Sequence, residues 1–182
     1  MKLVFGILRK NKAFSILELI FVVAIMGLMA TIFIPNLAWY KKKELDKQFI
    51  SGINYLTQLG WDRATLTNTN HRILFDFNNQ TISLEKQNGE NYQKLDDTYF
   101  DTEVEFNGID VKNFFINGID EMVLKGDEIK KDTIWFYIVP NGITQNVTIN
   151  YDFDFDQITT ENSLVINPFL AKFSWMPEYA KA

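Results

Sequence analysis

The stretch KAFSILELIFVVAIMGLMATIFIP, residues 12–35, decides how the rest of the chain is read. Between Phe14 and Ile34 it holds one charge, Glu18. As a helix rising ~1.5 Å per residue, this run is about 31 Å long, enough for a bilayer core of about 30 Å. Lys2, Arg9, Lys10 and Lys12 precede it with no acid among them, which predicts a cytoplasmic amino end and a chain lying mostly outside the cytoplasm. A secretory signal peptide fits poorly, because the run is long and ends in bulky Ile32-Phe33-Ile34 where a signal peptidase needs small residues. A buried core helix and a plain one-span anchor are the other ordinary readings. In the latter, Glu18 snorkels toward the interface.

A carboxylate in hydrocarbon costs about 2.5–3.5 kcal/mol on insertion scales, so Glu18 needs a reason. The cluster supplies one. Ala13-Phe14-Ser15-Ile16-Leu17-Glu18 leads into an unbroken apolar helix, with Gly27 inside it and Pro35 closing it. This resembles the class III signal of type IV pilins and pseudopilins. The resemblance implies that a basic leader, residues 1–13, is cut between Ala13 and Phe14 by a prepilin peptidase. It further implies that the new amine on Phe14 is N-methylated. The family usually carries Gly before the cut, and Ala13 departs from that. Glu18 then becomes reasonable. In a bundle of such helices it meets the terminal amine of a neighbouring subunit, and each charge offsets the other's desolvation. It marks register, as one polar residue does in a coiled-coil seam. Gly27 permits close helix approach. Pro35 removes a hydrogen bond and crowds the carbonyl of Thr31, so a kink is expected there.

With 182 residues and 47% hydrophobic content the chain can build one real core. Cysteine is absent, which excludes disulfides and thiolate metal sites but not an oxidising compartment. The net charge is −5, and the part beyond Lys47 is acidic, which argues against nucleic-acid binding.

The helical pattern continues after Pro35. Leu45, Phe49, Ile53, Leu56 and Leu59 recur at three and four residues, extended by Trp61 and Ala64. Lys41, Lys42 and Lys43 lie just past the apolar run, either as a phosphate-headgroup contact or as a solvated charged face. Gly52 and Gly60 each weaken the helix by about 1 kcal/mol. Thr67-Asn68-Thr69-Asn70 ends it.

Beyond Asn70 the pattern turns to short strands. Arg72–Phe77 and Thr81–Glu85 read as a hairpin around Asn78-Asn79-Gln80. Glu103–Phe106, Phe114–Ile116 and Met122–Leu124 are shorter candidates. Asn107-Gly108 and Asn117-Gly118 are paired turn signals. Thr133–Val139 is the most apolar strand and reads as central. Pro140-Asn141-Gly142 turns it into Thr144–Phe155, and Ser163–Ile166 and Phe169–Trp175 follow.

The result is an α+β layout: a leader at 1–13, a transmembrane and polymerisation helix at 14–34, an amphipathic stalk helix at 35–69, and an antiparallel β-rich head at 70–182. It is similar to the H-type minor pseudopilins of type II secretion. That resemblance implies a periplasmic head on an inner-membrane helix. Its implied partners are other pilin or pseudopilin subunits, the peptidase/methyltransferase, an inner-membrane assembly platform, the lipid bilayer and secreted cargo. A minor type IV pilin or DNA-uptake pseudopilin is the alternative, and an uncleaved membrane-anchored binding module is a second.

No catalytic set or cofactor motif is found. His71 is the sole histidine and, beside a turn, reads as a surface residue. Asp152, Asp154 and Asp156 alternate with aromatics, which puts the carboxylates on one strand face. Their spacing of about 7 Å between alternates is too wide to share an ion unaided, and the fixed Gly and Glu of an EF-hand loop are missing. A solvated acidic face is the expectation. Calcium, which some major pseudopilins bind, is the minor alternative.

Overall fold

The computed structural model describes residues 16–122, 131–155 and 158–181, with the side chains at 32–43, 154, 155 and 158 outside the description. Two compact units are found, Met1–Tyr40 and Lys41–Ala182.

Helix α1 runs Ile16–Thr67. In the second unit its predicted stripe is real. Phe49, Ile53, Leu56, Leu59 and Ala64 are buried, whereas Leu45, the expected first member, is exposed. The stripe holds because these residues share one face at the 3.6-residue period. The helix stops where the sequence signals it. Thr65 and Thr67 hydroxyls donate back to the Trp61 and Arg63 carbonyls at 2.9 and 2.6 Å. Asn68 then adopts φ 51°, a left-handed cap that Asn tolerates.

Two five-stranded antiparallel sheets follow. The first runs β3(Asn91–Lys94)-β2(Thr81–Asn88)-β1(His71–Asp76)-β7(Thr133–Ile138), with β4(Glu103–Glu105) also pairing β2. The second runs β10(Lys172–Met176)-β9(Ile158–Asn167)-β8(Val147–Phe155)-β5(Ile109–Ile116)-β6(Ile119–Asp120). The expected β1–β2 hairpin forms, with Ile73 opposite Leu84 and Phe75 opposite Ile82. Its turn is fastened by Asp76, whose carboxylate accepts the Asn78 and Asn79 amides at 3.0 and 2.9 Å. Asn117-Gly118 joins β5 to β6 with both residues at positive φ, as a two-residue hairpin turn requires.

The strands depart from the sequence expectations at several points. The strand read as central, β7, stands at the end of its sheet. Its apolarity serves two faces: Ile134, Phe136 and Ile138 point into the core, while Trp135 and Tyr137 lie on the outer face. The candidate at Phe114–Ile116 is the end of a strand that begins at Ile109, and β3 and β6 were not foreseen. At Met122–Leu124, Met122 is buried but outside any strand, and the other two residues lie outside the described ones.

The core is shared by the helix face and both sheets. Phe75 of one sheet meets Phe114 of the other edge-on at 5.0 Å, and Phe136 meets Phe173 at 6.0 Å. Phe49 of α1 sits edge-on to Tyr151 at 5.1 Å. Gly60 shows why small residues interrupt the stalk. A Cβ there would lie 2.7 Å from Ile138 Cδ1 and 2.9 Å from Leu84 Cδ1, so the helix rests directly on the first sheet.

Candidate functional site

The functional reading of the sequence centres on the start of α1. Ala13 and Phe14, the expected cleavage and methylation positions, lie outside the described residues, as does the leader. Glu18 occupies the first turn of α1 and is exposed. Gly27 is exposed, and a Cβ added to it would meet nothing within 4 Å. Pro35 falls within α1, but its side chain and those of Lys41–Lys43 lie outside the description.

The described part of this segment is apolar on every side. Ile16, Leu17, Ile20, Phe21, Met26 and Leu28 are all exposed, though they span several faces of the helix. A helix that is hydrophobic all round normally sits in an apolar surrounding. Among the described residues, no helix is long and apolar enough to cross a membrane.

The second unit fixes α1 to the sheets by polar contacts that the sequence did not disclose. Tyr151 is fully buried, and its hydroxyl donates to Asp46 Oδ1 at 2.7 Å. Burial and that carboxylate push the Tyr151 phenol well above its ordinary range. Asn54 meets both backbone groups of Phe173: the Phe173 N–H donates to Asn54 Oδ1 at 2.7 Å, and Asn54 Nδ2 donates to the Phe173 carbonyl at 3.3 Å. A helix side chain thereby occupies edge strand β10 at the point where another strand would pair. Trp61 Nε1 donates to the Gly142 carbonyl in the Pro140-Asn141-Gly142 turn. Gly142 is needed there, with φ +76° and Trp61 Nε1 only 2.6 Å from where a Cβ would stand. Of the three, only the Gly142 turn had a local sequence signal.

The acidic strand face differs from expectation. Asp152 is buried rather than solvated. Its Oδ1 accepts from Tyr179 and its Oδ2 lies 3.3 Å from Lys112 Nζ. Beside it, Ser163 is fully buried. The Ser163 hydroxyl reaches Asn150 Oδ1 at 2.7 Å and the Glu178 carbonyl at 2.6 Å, and accepts the Ala180 N–H at 2.7 Å. The tail at 177–181 therefore covers this face, and the contacts are satisfied within the chain. Asp156 and the Asp154 side chain lie outside the description. Among the described residues, no group of three His, Asp or Glu side chains could hold a metal ion.

His71 is buried too, not on the surface. It begins β1 in phase with Ile73 and Phe75, so it points inward with them. Its Nδ1 donates to the Thr69 carbonyl at 3.0 Å, and Nε2 has no partner among the described residues. Desolvation, opposed by that hydrogen bond and assisted by Lys86 and Arg63, lowers its pKa below the ordinary value.

With this geometry in view, comparison with known proteins gives a fold likeness. Two structures of the minor pseudopilin EpsH, from the type II secretion system of Vibrio cholerae, match the chain. One superimposes with a TM-score of 0.52 at 11% identity, covering 77% of this chain and 99% of that one. The other gives 0.50 at 10% identity, covering 72% and 95%. No protein-family model and no curated protein matches. The chain thus shares the pilin-like α+β fold of EpsH, and at this identity the likeness concerns fold alone.

Proposed function

We propose that this chain is a prepilin-like structural subunit, a minor pseudopilin of a type II secretion-like system. It is cleaved before Phe14, N-methylated there, and assembles through its apolar helix into a periplasmic pseudopilus. The observation that carries this reading is a conjunction. The prepilin-type cluster Ala13, Phe14, Glu18, Gly27 and Pro35 stands ahead of a head whose fold is like that of EpsH. The apolar surface of Ile16–Met29 supports it, since such a helix needs lipid or sister helices around it. In this role the protein performs no chemistry. It spans the inner membrane once, with the head on the periplasmic side. Its partners are sister subunits, the prepilin peptidase, the assembly platform and lipid.

Intact mass of the membrane-extracted protein tests the processing step. The expected mass is that of a chain beginning at Phe14 plus one methyl group. A chain that keeps Met1–Ala13 in cells possessing the peptidase would overturn the reading and leave the uncleaved anchored module. The assembly step is tested by Glu18→Ala. It should insert into the membrane normally and fail to enter filaments, and normal incorporation would refute a pairing of Glu18 with a neighbour's amine.

A further inference from the structure

The outer face of the first sheet carries an aromatic platform that the assembly role leaves unused. Arg72 lies at its centre. Its guanidinium sits 4.5 Å from the centroid of the Tyr92 ring and 4.8 Å from that of Trp135. The Tyr92 and Tyr137 rings approach to 5.6 Å, and Trp135 Nε1 donates to the Tyr137 hydroxyl at 3.0 Å. Cation–π contact and hydrogen bonding hold these rings in place before any ligand arrives. Beside them opens a depression of about 350 Å³, lined by Asn70, Tyr92, Tyr137, Val139 and Gln145. That volume is at the small end of ordinary ligand pockets.

The chemistry of the depression narrows its occupant. Arg72 is neutralised by Glu85 and Lys94 pairs with Glu103, so the charges on this face are spent within the protein. An anion finds no free cation among these described residues. What remains are aromatic rings and neutral polar groups. Asn70 uses its Nδ2 on Gln87, and Gln145 uses its Oε1 on the Tyr137 N–H at 2.8 Å. Asn70 Oδ1, Gln145 Nε2 and the Tyr92 hydroxyl bond to no other described residue. Together they offer an acceptor, a donor and a group that is both. A sugar ring needs that combination. Its C–H face is attracted to the negative face of an aromatic ring, and its hydroxyls need donors and acceptors alike. A proline-rich peptide carries few N–H groups, so it would leave the Asn70 Oδ1 acceptor unmet, whereas a sugar hydroxyl can donate to it.

We propose that the depression beside Tyr92 and Tyr137 binds a neutral saccharide, one or two pyranose rings of a glycan. This does not depend on the assembly role. Saturation-transfer NMR on the full chain, in a sugar-free zwitterionic detergent, tests it with cellotriose, maltotriose and triacetylchitotriose, and with decaproline as the competing ligand. Transfer to the ring C–H protons of at least one saccharide is expected. Tyr92→Ala and Tyr137→Ala should each weaken binding about five-fold, the loss of one aromatic contact. Trp175→Ala, on the second sheet, should leave it unchanged. Tyr92 sits on end strand β3, so its loss spares the core. Absence of transfer to all three saccharides, equal binding after both tyrosine replacements, or binding of decaproline instead would each overturn the proposal.

Discussion

Ile20 and Ile53 are the same side chain on the same helix, yet 63% of one is exposed and none of the other. Their surroundings in sequence explain the difference. Around Ile20 nearly every residue is apolar, so no face of the helix is distinguished and no polar face is left for water. Around Ile53 apolar residues recur at three and four, with Asp46, Gln48, Ser51 and Asn54 between them. That pattern gives the helix one face to bury, and the two sheets bury it. The described start of α1 leaves its apolar side chains exposed, and the later stretch buries one face against the sheets.

The sharpest way to break this contrast is to cut both isoleucines to alanine. Ile53→Ala removes a fully buried side chain and leaves a cavity, so it should cost roughly 2–5 kcal/mol. Ile20→Ala should leave head stability within about 0.5 kcal/mol. Urea unfolding of the full chain in detergent, followed by tryptophan fluorescence, reads both. Equal losses at the two positions would mean that Ile20 belongs to the same folding unit, and the division of the helix would fail.

Local patterns were the legible ones. The helix stripe, the β1–β2 hairpin and the Gly142 turn each depend on residues a few positions apart, where periodicity and turn chemistry act directly. The prepilin-like cluster is local in the same sense, but Ala13 and Phe14 lie outside the described residues, so its reading stays a proposal. Long-range partnership was not legible. The apolar character of β7 includes Trp135 and Tyr137, which serve an outer aromatic face, so an end strand reads as a central one when both faces are taken together. Alternation correctly separated Tyr151 and Phe153 from Asp152, but nothing local says that the tail returns to cover the acidic side. For His71 the signal was available. Counting by twos from Ile73 and Phe75 places it inward, and the adjoining turn concealed this.

Asp152 sharpens the contrast from within the head. Asp152→Ala strips Tyr179 and Lys112 of a buried acceptor, and should cost about 1–3 kcal/mol. Asp152→Asn keeps an oxygen for the Tyr179 hydroxyl and should cost less. Millimolar calcium should leave the Tm of the parent chain unchanged, because the described carboxylate oxygens already face an ammonium and a phenol. A calcium-dependent rise in Tm that disappears in Asp152→Asn would restore the metal reading of this face.

The smallest expected effect comes from His71, and its sign follows from burial. In the folded head burial lowers the imidazole pKa, because protonation would place a poorly solvated cation near Lys86 and Arg63. In the unfolded chain it returns to an ordinary value near 6.5. Between the lowered folded value and about 6.5, the unfolded state binds more protons, so stability rises with pH across that window. The contribution is present in full above about pH 6.5 and is lost as pH falls toward the folded value. Thermal unfolding from about pH 7.5 down to about 5.5 should therefore show a declining Tm in the parent chain. The window stops short of the range where most carboxylates titrate. His71→Phe keeps an aromatic ring at the site and removes the titration, so its Tm should vary less over the same interval. Parallel slopes in the two proteins would show that the pH response arises elsewhere.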